Sequence, residues 1–137
     1  MAVPESSTPV IVVVAAVIRR GGQVLMCQRP AGSRHAGLWE FPGGKVRMDE
    51  DEGSALRREL REELDLREVT IGDVLYETRD PGSPYLIRFY ACTTAGEPTA
   101  LEHQAVRWLE PEKLGALRLA PADHHFATQL TTHGPGA

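Results

Sequence analysis

The chain has few cysteines, few aromatic residues and no long apolar run. Cys27 and Cys92 are its only cysteines among 137 residues, and each lies in an apolar segment, which excludes a disulfide framework and a zinc knuckle. The longest apolar run, residues 10–18, is too short to span a bilayer. No basic segment precedes it and no small-residue cleavage site follows, which argues against a signal peptide. We therefore expect a cytoplasmic protein with no membrane partner.

The chain also lacks an excess of positive charge. It carries 15 Lys and Arg residues against 19 Asp and Glu, for a formal net charge of −4. Binding along a nucleic-acid backbone usually requires a basic face, so we expect no nucleic-acid polymer as a partner. A small phosphorylated ligand remains compatible with this charge because a few local cations suffice. The length fits a single domain, which we place at residues 10–131 between flexible ends at 1–9 and 132–137.

Hydrophobic patterning predicts a mixed α/β fold. Residues 11–18 are continuously apolar and rich in β-branched side chains, which suits a strand buried on both faces. Further patterns predict a Gly21-Gly22 turn, strands at 23–29, 69–78, 85–94 and 105–109, an extended piece at 38–42, a helical turn at 111–114, and helices at 51–64 and 122–130. Asp49 and Glu52 are spaced for a capping box before the first helix. This order of elements indicates a sheet that lies between helices.

The helix at 51–64 carries the most informative pattern in the chain. At about 100° per residue, one narrow stripe of it is apolar and suits packing on a sheet. The stripe consists of Leu56, Leu60 and Leu64. A separate face groups Glu59, Glu62 and Glu63, whose like charges repel by a few tenths of a kcal/mol per pair. A hard divalent cation among these carboxylates would remove the repulsion. A solvated acidic face balanced by arginines fits the pattern equally well.

Fixed spacings connect this acidic face to a pair of glycines. Gly44 is followed by five residues and then Glu50, and seven more residues lead to R-E-L-R-E-E at 58–63. This arrangement resembles the Nudix box, G-x5-E-x7-R-E-U-x-E-E-x-G-U, in which U is a bulky aliphatic residue and Leu66 is the last one. Asp65 departs from the pattern because the family has glycine there, and Asp tolerates a left-handed backbone only at some cost. The chain is identified by this box as similar to Nudix hydrolases.

The resemblance continues outside the box. L-W-E-F-P-G-G-K at residues 38–45 is similar to the segment before the helix in MutT-like and CTP pyrophosphohydrolase-like members, and the likeness runs from about residue 10 to residue 130. It implies an α/β/α sandwich and a Mg²⁺-dependent enzyme, with Mn²⁺ as the alternative ion. The implied reaction converts a nucleoside triphosphate and water into a monophosphate and pyrophosphate. The implied substrates are 8-oxo-dGTP, dCTP and CTP.

The resemblance also implies roles for individual residues. In the family, glutamates of the helix, a backbone carbonyl at the glycines and a late-loop glutamate hold the metal. Carried over, the expected ligands are Gly43, Glu59, Glu62, Glu63 and Glu102. Glu102 is alternatively the base for the attacking water or a loop-surface acid. We expect Arg58 to orient a glutamate by a charge-assisted hydrogen bond, and Glu50 to lie beside the ligands rather than among them.

Three further residues are candidates for substrate contacts. Arg29 matches a family arginine that meets phosphate, and Lys45 is a weaker candidate of the same kind. Asp123 matches a position that reads the nucleobase, although an N-cap of the last helix explains it equally well. We expect His124 and His125 on a helix surface. The other three histidines, His35, His103 and His133, show no metal-like spacing.

Two other functions stay open at the level of the sequence. The first is hydrolysis of ADP-ribose or another nucleoside diphosphate derivative, for which the position of Pro81 is suitable, although a hairpin loop explains Pro81 as well. The second is a non-catalytic Nudix domain that binds a nucleotide. The complete set of box glutamates argues against it, because such domains have usually lost them. The oligomeric state is left open between a monomer and a small homo-oligomer.

Overall fold

The computed structural model describes residues 10–79 and 82–133. The expected flexible segment at 1–9, residues 134–137 of the one expected at 132–137, and the loop residue Pro81 lie outside this part of the chain. The elements within it are β1 (Ile11–Arg20), β2 (Gln23–Gln28), β3 (Trp39–Glu40), β4 (Gly43–Lys45), α1 (Glu52–Leu64), β5 (Val69–Arg79), β6 (Tyr85–Thr94), β7 (Ala105–Leu109), a 3₁₀ helix (Pro111–Ala116) and α2 (Pro121–His133). The predicted strands and helices are therefore present, with one additional strand.

β1 is the centre of a mixed sheet. It pairs in parallel with β6 from Ile11↔Tyr85 to Ile18↔Cys92, and β6 pairs antiparallel with β5. On its other edge β1 pairs with β2 beside the Gly21-Gly22 turn, and farther along with β4. β2 then extends the sheet by pairing with β3 and β7. The parallel pairing of β1 with β6 among antiparallel pairs makes the sheet mixed, as the sequence predicted.

The two faces of the sheet are covered by different helices. Successive side chains of a strand point to opposite faces, and β1 is apolar on both. Val14, Ala16 and Ile18 pack with the leucine stripe of α1, where Leu56, Leu60 and Leu64 are fully buried. Ala15 and Val17 belong to the core on the other face, which contains Phe126 and Leu130 of α2. The predicted α/β fold, with a sheet between helices, is confirmed.

Gly43 and Gly44 lie in a strand that was not among the predicted strands. Gly43 and Gly44 pair with Ala15 and Val14 of β1, and Gly43 has a φ of 157°. A Cβ on Gly43 would lie 1.9 Å from the carbonyl oxygen of Val14, so only glycine allows the two backbones to approach this closely. The strand was missed because two glycines carry no side-chain alternation.

The first helix is capped differently from the prediction. Asp51 is its N-cap and accepts a hydrogen bond from the Ser54 amide at 2.7 Å, so the predicted Asp49/Glu52 capping box is wrong. Glu52 instead accepts a hydrogen bond from the Tyr90 hydroxyl at 2.6 Å and pairs with Arg88. These partners lie on β6, far from Asp49 in the chain, and local spacing does not reveal them.

The second helix is longer than predicted. It begins at Pro121 and ends at His133, whereas the sequence placed it at 122–130 and a flexible end from 132. Thr132 and His133 are therefore helical, and the predicted boundary is wrong at this end. None of the helices in the two described ranges is both long and apolar enough to cross a membrane.

Candidate active site

The acidic face of α1 meets the glycine strand β4. A Cβ on Gly44 would lie 2.5 Å from Cδ of Glu59 and 2.6 Å from its Oε1. The missing side chain therefore leaves the space that this carboxylate occupies. The need for glycine at residue 44 is therefore stricter than the sequence suggested, because the missing side chain makes room for Glu59.

Arg58 connects the acidic residues of this region. Its Nε donates to Oε2 of Glu50 at 2.6 Å, and its Nη2 donates to Oε1 of the same carboxylate at 2.9 Å. Its Nη1 donates to Glu59 at 2.9 Å and to Glu62 at 3.0 Å. The bidentate pair with Arg58 lowers the pKa of Glu50 to about 2. Arg58 thus holds three carboxylates at once, and Glu50 is fully engaged by it.

Glu63 occupies a different environment from its neighbours. Its side chain is 6% exposed, whereas that of Glu62 is 42% exposed. Burial raises the pKa of Glu63 well above its usual range, and the nearby carboxylates Glu59, Glu40 and Glu102 raise it further. Glu102 itself lies on the exposed loop before β7. The site therefore holds several acidic groups around one buried carboxyl.

The chemistry of this donor set fits a hard divalent cation. The carboxylates brought together on α1 and the late loop supply oxygen donors, which Mg²⁺ and Mn²⁺ prefer. No three His, Cys, Asp or Glu side chains of residues 10–79 and 82–133 already stand close enough to enclose an ion. An added cation would offset the repulsion that raises the pKa of Glu63. The residues present therefore suit a cation that draws the carboxylates together.

Arg29 and Lys45 flank the acidic region. Arg29 donates from Nη1 to Oε1 of Glu40 at 3.1 Å and from Nε to the carbonyl of Arg34 at 2.7 Å. Its side chain is 30% exposed, so the guanidinium can be reached from solvent. The Lys45 ammonium lies 5.3 Å from the centre of the Tyr85 ring. The structure thus places one cation in an ion pair and the other over an aromatic ring.

Asp123 lies on α2 against the segment that precedes the glycines. Its Oδ1 accepts a hydrogen bond from the Phe41 amide at 2.8 Å. Burial raises the pKa of this half-buried carboxyl to about 8. The helix begins two residues earlier, at Pro121, so the alternative that Asp123 is an N-cap is wrong. Asp123 therefore connects α2 to the edge of the candidate site.

One residue of the region was missed by sequence reasoning. His103 is 4% exposed in its side chain, and its Nε2 lies 2.9 Å from Oε2 of Glu40 and 3.6 Å from Oε1 of Glu63. The only signal in the sequence was its position next to Glu102. His124 and His125 are exposed on α2, as expected.

Comparison with known proteins gives consistent matches over this fold. The family model described as NUDIX domain matches residues 8–130. The chain is 47% identical to the CTP pyrophosphohydrolase of Escherichia coli strain K12 over 116 residues, which cover 82% of this chain and 85% of the relative. It is 38% identical to an 8-oxo-dGTP diphosphatase of Haemophilus influenzae over 126 residues, covering 88% and 91%. The solution structure of the E. coli ORF135 protein matches with a TM-score of 0.79 and 42% identity, covering 98% of this chain and 99% of that one.

Proposed function

The chain belongs to the Nudix family, and from this membership we propose that it is a metal-dependent nucleoside triphosphate pyrophosphohydrolase. It converts a nucleoside triphosphate and water into a monophosphate and pyrophosphate, with CTP, dCTP or 8-oxo-dGTP as the substrate. The observation that carries the proposal is the acidic cluster of α1, which Arg58 holds against a glycine strand. The relatives named for CTP and 8-oxo-dGTP support the same reaction. A purely nucleotide-binding role is thereby rejected.

The proposed metal is Mg²⁺, with Mn²⁺ as the alternative. Its proposed ligands are the carboxylates of Glu59, Glu62, Glu63 and Glu102 and the backbone carbonyl of Gly43. When bound, such ions neutralise phosphate charge and lower the pKa of coordinated water. The grouping of carboxylate oxygens and the raised pKa of buried Glu63 support this assignment.

The protein's own groups orient the reaction and move its proton. Arg58 holds Glu59 and Glu62 in fixed positions against their mutual repulsion. Glu50 holds Arg58 in turn, so it acts through the arginine and leaves the ligand positions free. Glu102 is exposed beside the buried cluster, where its carboxylate can accept the proton of the attacking water. That water attacks a phosphorus of the polyphosphate chain.

Substrate recognition is assigned to the residues around this cluster. Arg29 and Lys45 provide positive charge for the phosphates, since the Arg29 side chain is partly exposed and Lys45 is exposed. Asp123 contacts the base. As an anion it accepts from the cytosine amino group or from the N–H groups of guanine, and when protonated it offers a donor together with an acceptor. Because the pKa of Asp123 is about 8, both forms are available near neutral pH.

A nucleotide panel tests the reaction. The purified chain is incubated with Mg²⁺ and CTP, dCTP, 5-methyl-dCTP, dGTP, 8-oxo-dGTP or ADP-ribose, and released pyrophosphate and phosphate are measured separately. We expect metal-dependent pyrophosphate release from at least one triphosphate. Pyrophosphate release that is unchanged by a chelator, or hydrolysis of ADP-ribose alone, would contradict the proposal.

Matched variants test the assignment of the acidic cluster. Glu62→Gln keeps the size of the side chain and removes its charge, so we expect turnover to fall on the order of 100-fold or more. Glu112→Gln makes the same change at an exposed position of the 3₁₀ helix and should leave turnover unchanged. Equal rates for the two variants would show that the ligand assignment is wrong.

The cellular setting is a further part of the proposal. Cys27 and Cys92 are free, buried thiols, and such thiols persist in a reducing compartment. We therefore place the enzyme in the cytoplasm, acting on free nucleotides.

A further inference from the structure

The half-buried carboxylate of Glu40 and the buried imidazole of His103 lie between Arg29 and Glu63. Glu40 is on β3, and its two oxygens face different partners. Oε1 accepts from Nη1 of Arg29 at 3.1 Å, and Oε2 lies 2.9 Å from Nε2 of His103. The same Nε2 lies 3.6 Å from Oε1 of Glu63. A continuous row of polar groups thus runs from Arg29 to Glu63.

The fold explains why residues so far apart in the chain meet here. Glu40 pairs with Cys27 of β2 and shares the face of the sheet that α1 covers. The loop that carries His103 is held from both sides by backbone hydrogen bonds. The Leu101 amide donates to the carbonyl of Glu63 at 3.0 Å, and the Gln104 amide donates to the carbonyl of Gln28 at 3.0 Å. His103 is therefore fixed between α1 and β2 by its backbone as well as by its side chain.

The surroundings of the imidazole assign its proton. Nε2 faces two carboxylates, whereas Nδ1 is buried without a hydrogen-bond partner in the described part of the chain. A proton on Nδ1 would thus be buried without an acceptor, so the structure favours the tautomer with the proton on Nε2. One N–H makes one strong hydrogen bond, and the distances identify Glu40 as its acceptor. Oε1 of Glu63 lies beside the imidazole at 3.6 Å, beyond hydrogen-bond distance.

We propose that Glu40 and His103 are a positioning pair that sets the phosphate-binding Arg29 and the metal-binding Glu63 in a fixed relation to each other. This inference rests on the proposed function for the roles of Arg29 and Glu63. Glu40 uses one oxygen to orient the guanidinium and the other to orient the imidazole. The imidazole in turn fills the space beside Glu63 and leaves its carboxylate available to a cation. His103 contacts neither substrate nor metal in this arrangement.

The test compares His103→Gln with His103→Asn, which differ in whether a side-chain nitrogen can reach the position of Nε2. The side-chain amide of His103→Gln can place an N–H where Nε2 lies, whereas the shorter side chain of His103→Asn cannot. Affinity for Mn²⁺ alone is measured by electron paramagnetic resonance without nucleotide, and kcat and KM are measured on the triphosphate that the panel identifies. His124→Asn, on the exposed surface of α2, is the matched control.

We expect the glutamine variant to stay within about threefold of the wild type in every measurement. The asparagine variant should weaken Mn²⁺ binding and lower kcat, each by roughly 10-fold or more, as positioning partners of metal ligands commonly do. Glu40→Gln should resemble the asparagine variant and also raise KM, since an amide cannot accept from both Arg29 and His103.

Three results would overturn the inference. The first is Mn²⁺ affinity, kcat and KM in His103→Asn equal to those of His124→Asn. The second is equal impairment in both His103 variants with equal losses of stability in urea, which would make the role purely structural. The third is an unchanged KM in Glu40→Gln. A wild-type protein inactive on every nucleotide would contradict the proposed function instead, and Mn²⁺ binding by the variants would still test the pair.

Discussion

Asp123 is half-buried between α2 and the amide of Phe41, and burial raises the pKa of its carboxyl to about 8. In the unfolded chain an aspartate has a pKa of about 3.9. Between these two values the native state holds a proton that the unfolded state has released. Stability rises with pH only where the unfolded state binds more protons, so this group makes stability fall as the pH rises. The contribution is complete below about pH 4 and is lost as the pH passes 8.

A pH series on one variant tests this expectation. Asp123→Asn keeps an oxygen that can accept from Phe41 and removes the ionisation. We expect the free energy of unfolding of the wild type to fall by roughly a few kcal/mol more than that of the variant between pH 5 and pH 9. Urea unfolding at several pH values measures it, with Asp73→Asn at an exposed position as the control. Parallel curves for wild type and Asp123→Asn would contradict the assigned pKa.

At the scale of elements, α1 ends in a strained residue close to the site. Asp65 has φ 55° and ψ 30°, and its amide donates to the carbonyl of Arg61 at 3.0 Å. The next amide, that of Leu66, donates to the carbonyl of Leu60, and the bond from Asp65 to Arg61 is that of an αL helix ending. Asp65, which stands where the Nudix pattern has glycine, thus adopts the left-handed backbone of the helix end, although glycine is better suited to that conformation.

Replacing this residue by glycine should stabilise the protein. Asp65→Gly removes a Cβ from a left-handed backbone and a negative charge from a helix C-terminus, so we expect a gain of about 0.5–1 kcal/mol. Asp65→Ala should be less stable than the wild type, because alanine tolerates this conformation poorly. Urea unfolding measures the order of stability of the wild type and the two variants, and kcat should be unchanged in the glycine variant. A glycine variant less stable than the wild type would show that the ion pair of Asp65 with Arg67 outweighs the strain.

At the scale of the whole molecule, the buried acid of the site is a cost to folding. Glu63 is nearly inaccessible to solvent and lies near three other carboxylates, and its burial disfavours the charged form. The buried carboxyl of Glu63, which is retained for its function in the site, therefore lowers the stability of the metal-free protein. A cation that binds only the native state shifts the folding equilibrium towards that state and so raises the free energy of unfolding.

Thermal unfolding with and without Mg²⁺ measures this coupling. Glu63→Gln should raise the Tm of the metal-free protein by a few degrees, because folding of the variant no longer has to keep a carboxyl uncharged at a buried position. Added Mg²⁺ should raise the Tm of the wild type and leave that of the variant nearly unchanged. The variant should no longer release pyrophosphate from a nucleoside triphosphate. A variant that responds to Mg²⁺ as strongly as the wild type would exclude Glu63 from the metal site.

The sequence predicted elements whose pattern is local. β6 and β7 begin and end at the predicted residues, because each is a short run rich in apolar residues. β4 was missed because its glycines carry no pattern and its partner is β1. The family resemblance, the fold class and the enzymatic reaction are confirmed, whereas the ligand residues remain predictions. His103 could not be found in advance, since it reaches Glu40 only after β3 and β7 have both paired with β2.

The parallel pairing of β1 with β6 also determines the order in which the chain can fold. Its partners are about 70 residues apart, and such non-local pairing forms slowly because a long loop must close first. During synthesis β1 is made before β2 and β6, and it can form its hairpin with β2 as soon as β2 is made. Its other edge stays unpaired until β6 has left the ribosome. The most apolar strand of the protein is therefore the one most exposed to aggregation during biosynthesis, and the acidic cluster takes its final form only after that edge is covered.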